Sequence, residues 1–473
     1  MSFCLSGKPI SFSQIAVCIY FYAHMKVAST PAKTYRKLKT LQLIAVIFLT
    51  VSGGPYGLEP LLVYAGRHGA LLLLLVTPFL WDIPAILTVL ELNSMMPVEG
   101  GYYQWVKRGL GLRWAFFEGW WTWLYTFVDL AIYPVLFVEY ASFFFPQIEA
   151  YKIPVCLCII WFGAILNIIG IVPVGGVATV LGIIVIIPFV ILFGITIYKD
   201  HGHFVFPSPS LKGVSLSSLG LALYTVIWNF IGWDNATTYA GEVDKPIKAY
   251  IKATAVVFVL ILLIYTSAII AALQSGIDMN VLSDEGFPAV GSLLGGYSMG
   301  ALISLGGMCS AVGLFCAILL SVSRVPKVMA DDKLLPNVLD ALHPRFQTPY
   351  RSIILCALVV SIMIIWSFAD LLIIDVTVYG AGLFLEYIAL IMLRIKAPDE
   401  HRPFKIPLNI PGLVIMALVP LIIYSIALIG AFSESGNNIK PALFAIAALL
   451  SSEVVWLVIK RVRGKKLSYR NEL

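Results

Sequence analysis

Runs of apolar residues about as long as a bilayer is thick exclude a soluble fold for this chain. Twelve can be counted, at about 41–64, 70–91, 114–145, 153–172, 177–198, 217–241, 251–274, 287–323, 352–366, 370–393, 412–432 and 440–460. An α-helix needs roughly 20 apolar residues to cross about 30 Å of hydrocarbon. The third and eighth runs exceed that length and are expected to tilt or to extend past the bilayer. The ninth is short. Only 12% of the residues are charged, against about 25% in soluble domains. The expected fold class is an all-α membrane protein with about twelve transmembrane helices.

The charges support that count. With the N-terminus placed inside and the spans alternating, 27 of the 32 Lys and Arg residues fall in inner loops and tails. Only Arg67, Lys152, Lys199, Lys212 and Lys440 fall outside. Such an asymmetry follows the positive-inside rule and predicts two cytoplasmic ends. The net charge of +6 therefore marks topology, and no nucleic-acid partner is expected. The seven cysteines lack a CxxC pair, and all six histidines lie outside the runs. No metal site, disulfide framework or cofactor is expected. Residues 1–40 read as a cytoplasmic tail and 461–473 as a second, basic one. Ile10–Tyr22 is too short to span; it is either a signal-peptide core or lies upstream of a true start at Met25. A start at Met25 removes residues 1–24, which the mass of the natively expressed protein reads directly.

The first five runs (41–198) and the next five (217–393) are similar in length. Five is odd, so the second set starts on the opposite side and has inverted topology, leaving 412–460 as two accessory helices. The first run of each set is interrupted, at Val51–Gly57 (VSGGPYG) and within Asn229–Glu242 (NFIGWDNATTYAGE). Backbone polar groups in hydrocarbon must be paired. A break is tolerable where a cavity, ion or substrate uses the exposed groups, and paired breaks point to a transporter site at the bilayer midplane. Gly53, Gly54 and Gly57 allow close approach to the backbone, and Pro55 interrupts the helical ladder. Free carbonyls at a break favour a cation, and a half-helix N-terminus favours a carboxylate.

Several carboxylates remain within the runs, although each costs about 2.5–3.5 kcal/mol at a helix centre. Glu59 follows the first break and Asp234 lies in the second; both are candidates for recognising an amine. Glu118 and Asp129 are eleven residues apart, about three turns, and share a face of the third run. They are candidates for proton coupling, because low dielectric disfavours the charged form. Asp82 lies near the middle of the second run, and Asp370, Asp375 and Glu386 fall in the tenth. Glu139, Asp370 and Glu453 are expected near span ends, in contact with solvent. Tyr56, Trp228 and Trp233 lie at or beside the breaks, where a ring could hold an ammonium group. Trp114, Trp120, Trp121 and Trp123 either anchor the third run at an interface or pack within the bundle.

Three loop sequences, MMPVEGGYYQWVKRGLG (95–111), GWDNATTYAGEVDKPIKAYIKA (232–253) and SRVPKVMADDKLLP (323–336), resemble those of the amino acid–polyamine–organocation transporter superfamily. Within it, VSGGPYGLE, FFEGWWTWLYTFVDLAIYPVLFVEY and WNFIGWD are most similar to the polyamine:proton symporter branch of plants and protozoa. The resemblance implies a five-plus-five inverted repeat with two added helices. It also implies a substrate site built from Ser52, Gly53, Gly54, Tyr56, Gly57 and Glu59 against Trp228, Asn229, Trp233 and Asp234. Some proton-coupled members carry a lysine in the fifth helix; the run 177–198 has none, so a carboxylate must serve if protons are the coupling ion.

The expected function is secondary transport at the plasma membrane: inward movement of an amino acid or polyamine with a proton, by alternating access. An amino acid exchanger is the second reading. No histidine cluster, phosphate-binding loop or nucleophile–base pair within the spans suggests an enzyme, and no GxxxxGK[ST] sequence suggests an ATP-driven pump. The partners implied are the small-molecule substrate, the proton and the lipid bilayer. Nothing in the sequence sets the oligomeric state.

Overall fold

The computed structural model describes residues 37–199, 201–204, 207–365, 368–433 and 440–463. The expectations for residues 1–36 and for the tail from 464 lie outside the described residues. Among those residues the secondary structure is helical, apart from two isolated bridges, Leu38 with Val243 and Glu99 with Tyr239. The α-helices are α1 (Thr40–Val51), α2 (Glu59–Met95), α3 (Gly101–Leu110), α4 (Leu112–Ala141), α5 (Lys152–Ile169), α6 (Ile171–Lys199), α7 (Leu216–Trp228) and α8 (Pro246–Ser275). They continue with α9 (Met279–Gly295), α10 (Tyr297–Val322), α11 (Arg324–Asp331), α12 (Tyr350–Met363), α13 (Phe368–Lys396), α14 (Ile410–Ser433) and α15 (Lys440–Arg463). Nine helices among the described residues are long and apolar enough to cross a membrane, and α1, α7 and α12 are shorter apolar helices beside them.

Local chemistry sets the boundaries. Ser215 caps α7 by accepting from Ser218 N at 3.0 Å, and Asp278 caps α9 by accepting from Asn280 N at 2.8 Å. Such caps satisfy donors that the first helical turn leaves free. Two expectations about spans are corrected. The run 287–323 is not one long helix: Gly296 (φ 73°) separates α9 from α10, so the excess length belongs to a second helix and not to tilt. The runs 41–64 and 70–91 are also not separated by a loop, because helix resumes at Glu59 and turns only at Gly66 before continuing to Met95.

Helix α4 lies at the centre, packed along α10 and α13. Of its most apolar 18-residue window, 83% is buried inside the protein, against 17% for α14 and 11% for the Leu443–Val462 part of α15. That contrast explains the sequences: α4 can carry Glu118 and Asp129 because both positions are buried inside the bundle. Outward-facing positions such as Ile183, Val259, Leu263, Ile422 and Leu450 are exposed and apolar, as a bilayer requires. Of the four α4 indoles, Trp120 and Trp121 fit the packing reading, while Trp114 is exposed. Trp120 Nε1 donates to Ser451 Oγ (2.8 Å), and Trp121 Nε1 to Ser452 Oγ (3.0 Å), so these rings pin α15 to the bundle.

Ion pairs collect the basic loops at one end of the bundle. Lys107 meets Asp332 (2.6 Å), Arg108 meets Glu400 (2.7 Å), and Arg113 meets Glu453 (2.6 Å). The fully buried Glu91 accepts from Arg394 Nε and Nη2 at 2.5 and 2.7 Å, with Arg402 at 3.3 Å. Every residue here lies in a segment that the charge pattern assigned to one side, or at the helix end beside it. At the other end, Arg67 donates to Ile277 O at 3.0 Å. Glu139 is exposed there, and Glu453 is partly exposed at the basic end, as expected of carboxylates near span ends.

Helices α7 and α14 cross with backbones nearly touching. A Cβ at Gly220 would lie 2.5 Å from Ala431 N and 2.6 Å from Gly430. Small residues permit such crossings in membranes, and forced overpacking costs about 1–3 kcal/mol. Gly220→Val is expected to lower the thermal midpoint of the purified protein and to loosen α14, whereas Ile422→Val on the outward face leaves the midpoint unchanged. Equal midpoints for the two variants would refute this contact.

Candidate functional site

The two breaks lie against each other, and their backbones are held by hydroxyl and amide groups from neighbouring helices. After α1, Gly53 takes φ 62°, a conformation open to glycine. A Cβ there would also meet Ser310 Oγ at 2.7 Å. That hydroxyl donates to Gly53 O at 2.5 Å. Ser52 Oγ accepts from Gly54 N at 3.0 Å. After α7, Tyr265 OH donates to Asn229 O (3.0 Å), Ser321 Oγ to Asn235 O (2.5 Å), and Tyr250 OH to Ala236 O (2.5 Å). Asn229 Nδ2 donates to Gly57 O at 3.2 Å and ties one break to the other. Several carbonyls expected to be free for a cation therefore already accept a hydrogen bond.

Two cavities flank this crossing. The smaller has a free volume of about 10 Å³, room for about one water molecule. Thr50, Ser52, Tyr125, Asp129, Tyr133, Trp228, Asn229 and Asn235 are among its lining residues. The larger, about 890 Å³, opens at the end opposite the basic loops. It is lined by Gly57 and Glu59 from the first break, by Glu139 and Tyr140 from α4, and by Glu149, Asp284 and Glu285. Five carboxylates line it, and no Lys, Arg or His does. Glu59 sits at its inner limit, where Oε1 accepts from Tyr140 OH (3.0 Å) and Phe287 N (3.3 Å).

The residues singled out from sequence divide accordingly. Ser52, Trp228, Asn229 and Asp129 converge on the small cavity, and Gly57 and Glu59 on the large one. Gly53, Gly54, Tyr56, Trp233, Asp234 and Glu118 line neither. Tyr56 is turned into the bundle: its hydroxyl donates to Ile303 O at 3.1 Å, and its ring packs edge-on against Tyr140 and Phe189. Trp233 Nε1 donates to Asp82 Oδ1 at 3.2 Å, which gives Asp82 a partner. Asp234 is buried, with Oδ1 accepting from Tyr379 OH on α13 at 3.0 Å. Glu118 is buried and accepts from Thr122 Oγ1 at 3.3 Å. Asp129 Oδ1 accepts from Tyr133 OH at 2.5 Å. Tyr125, Tyr133 and Tyr379 were not singled out, because one tyrosine among 22 carries no distinguishing signal until the fold places it beside a carboxylate.

The end with the basic loops is closed. Arg324, 1% exposed, pairs with Glu242 at 3.1 Å and donates to Leu320 O at 2.6 Å. Leu38 N donates to Glu242 O (3.0 Å), and Gly100 N to Thr238 O (2.8 Å). Lys327 bridges Glu99 and Asp331 at 3.1 and 3.0 Å. The structure is thus open toward Glu59 at one end and sealed beyond Asn235 at the other.

A bundle with two apposed helix breaks, a cavity reaching them from one end and a closed opposite end has the form of a membrane transporter. Residues 38–452 match the family described as amino acid permease, and the chain belongs to that family of secondary transporters, as an integral membrane protein. It is 33% identical over 445 residues to the polyamine transporter RMV1 of Arabidopsis thaliana, covering 93% of this chain and 89% of that one. It is 31% identical to the polyamine transporter PUT1 of Oryza sativa subsp. japonica, covering 91% and 80% of the two chains. It is 24% identical to the serine/threonine exchanger SteT of Bacillus subtilis (strain 168), covering 81% and 89%.

Arg324 is buried and Glu242 partly exposed, and removing the partner of a buried charge leaves that charge uncompensated. Glu242→Gln should therefore weaken the closed end. A cysteine placed at Ser321, buried behind Arg324, is expected to label several-fold faster from the side of the basic loops in that variant. Unchanged labelling would show that Arg324 and Glu242 do not hold the closure.

Proposed function

We propose that this chain is a proton-coupled importer of polyamines or amino acids, working by alternating access. The observation that carries the reading is Asp234, a buried carboxyl group inside the second break whose hydrogen-bond donor is the Tyr379 hydroxyl and not a base. A buried carboxylate without a counter-charge is costly, and an ammonium group of the substrate would supply that charge. The acidic cavity reaching Glu59 supports the same reading, since a cleft lined by one sign of charge concentrates the opposite ion. The two plant relatives are polyamine transporters by name, which points to polyamines. Some 33% identity to one of them supports the class of substrate and not one compound.

In this reading α1, α7 and α12 join the nine longer helices as twelve spans, the first ten forming a five-plus-five inverted repeat and the last two being accessory helices. The basic end faces the cytoplasm with both termini, and the acidic cavity opens outside a plasma membrane. An amine entering that cavity passes Glu59, reaches the crossing of the breaks near Ser52, Trp228 and Asn229, and engages Asp234. Opening of the Arg324–Glu242 closure then releases it inward. Trp228 and Tyr133, stacked with centroids 6.5 Å apart, present ring faces that suit an alkyl-ammonium chain. The second reading, amino acid exchange, is favoured by similarity to the serine/threonine exchanger.

Uptake of labelled putrescine, spermidine and amino acids into proteoliposomes, with and without an imposed pH gradient, tests the proposal. Gradient-driven accumulation of a polyamine or amino acid is expected; flux that ignores the gradient and requires internal substrate would establish exchange instead. Asp234→Asn keeps the shape and removes the charge. It is expected to lower uptake of a cationic substrate by about 100-fold, the scale of a charge-assisted contact of 1.5–3 kcal/mol. Normal putrescine or spermidine uptake by this variant would remove Asp234 from amine recognition.

A further inference from the structure

Helices α4 and α13 pack along their lengths and carry carboxyl groups at the same spacing. On α4 these are Glu118 and Asp129; on α13 they are Asp375 and Glu386. Each pair is eleven residues apart, which is about 16 Å along a helix. Asp375 and Asp129 repel each other across the seam, forming one rung. Glu386 faces Glu118 and Asp234, forming the other. Between them Tyr125 and Tyr379 meet edge-on, with centroids 5.3 Å apart. Gly382 leaves room for Glu118 Oε1, which would lie 3.0 Å from a Cβ at that position.

The α13 carboxyl groups have no donor. Both oxygens of Asp375 and both of Glu386 are buried without a hydrogen-bond partner, and each residue is 0% exposed. The charged and titratable groups that face Asp375 are Asp129, Tyr133 and Tyr125. Those that face Glu386 are Asp234, Glu118, Tyr102, Tyr379 and Tyr387. None is basic. Two neighbouring carboxylates away from water oppose each other's ionisation, and a buried charge without a partner is prohibitive. A proton on Asp375 removes both penalties, because it neutralises the side chain that the Asp129 carboxylate repels. The same holds for Glu386 and Asp234.

We propose that the α4–α13 seam is a two-rung proton site, in which Asp375 with Asp129 holds the transported proton and Glu386 with Glu118 and Asp234 holds a second proton beside the amine. The inference rests on the transport reading above and deepens it. Protonation forms one O–H bond on an Asp375 carboxylate oxygen, and release breaks that bond and returns the proton to water on the other side. Because the rungs are separate, a proton on the first and an ammonium group on the second can be held together, as symport requires. The Asp129 rung also adjoins the small cavity at the breaks, which gives the proton contact with the substrate path.

Asp375→Asn and Glu386→Gln put amides of the same shape where neutral acids stand, so the fold should be kept. Infrared difference spectra of the full-length protein, between acidic and alkaline buffer, should show a protonated-carboxyl C=O band that shifts in deuterium oxide and is missing in Asp375→Asn. In proteoliposomes the same variant should lose gradient-driven accumulation by about tenfold or more, within the usual 5–150-fold range of coupling. Its substrate counterflow should persist, and Asp375→Glu should restore accumulation. A variant with full gradient-driven accumulation and unchanged carboxyl bands would overturn the proposal. Loss of counterflow together with accumulation would overturn it too, by making Asp375 part of the amine site. A wild-type protein that ignores the gradient would refute proton-coupled transport instead, and the infrared bands would still decide whether the seam binds protons.

Discussion

Hydrogen bonding of the interrupted backbone is the constraint on which the rest of the structure depends. Hydrocarbon offers no water to a broken helix, so each freed carbonyl must find a donor within the protein. Here Ser310, Tyr265, Tyr250 and Ser321 supply them, and Asn229 links the two breaks directly. Those donors come from α8 and α10, which must therefore stand against α1 and α7. The pairing of the breaks thus sets the arrangement of the helices around them. Carboxyl oxygens of Asp82, Glu118, Asp375 and Glu386 are among the buried side-chain atoms left without a partner.

Charge is sorted by the same logic. Most of the ion pairs lie at one end of the bundle, in cross-loop bridges such as Arg324 with Glu242 and Lys107 with Asp332. Glu91 lies deep among these helix ends and is neutralised by Arg394 and Arg402. The interior carboxyl groups Asp234, Glu118, Asp129, Asp375 and Glu386 have no such partner, and their neighbours are tyrosines, threonines and one another. A bundle meant only to be stable would gain by replacing them with apolar residues. Retained unpaired acid is what a site for movable cations and protons requires.

Much of this was legible in sequence, because its causes are local. Run length, loop charge, glycine and proline at the breaks, and carboxylates in apolar runs are all one-dimensional signals, and the breaks lie where they were expected. Contacts between distant segments were not legible. That Gly296 ends one helix and starts another depends on φ at a single residue within an apolar run. That Tyr56 turns toward Ile303 and away from both cavities, or that Trp233 finds Asp82, depends on how helices rotate about their axes. Asp375 and Glu386 could be counted among the buried acids. Only packing of α13 on α4 brings them beside Glu118 and Asp129.

From the chain of residues alone follow a helical membrane protein, the polarity of its loops, two interrupted helices and a set of acidic side chains too costly to be incidental. These follow from the price of placing polar groups in hydrocarbon, which each residue meets wherever it sits along the helix. The tertiary structure decided which acids share a site, which end of the bundle is open, and which tyrosines stand beside the carboxyl groups. Those outcomes depend on helix–helix packing and rotation, where a change of one residue in register carries a side chain about 100° around the axis and exchanges one set of neighbours for another.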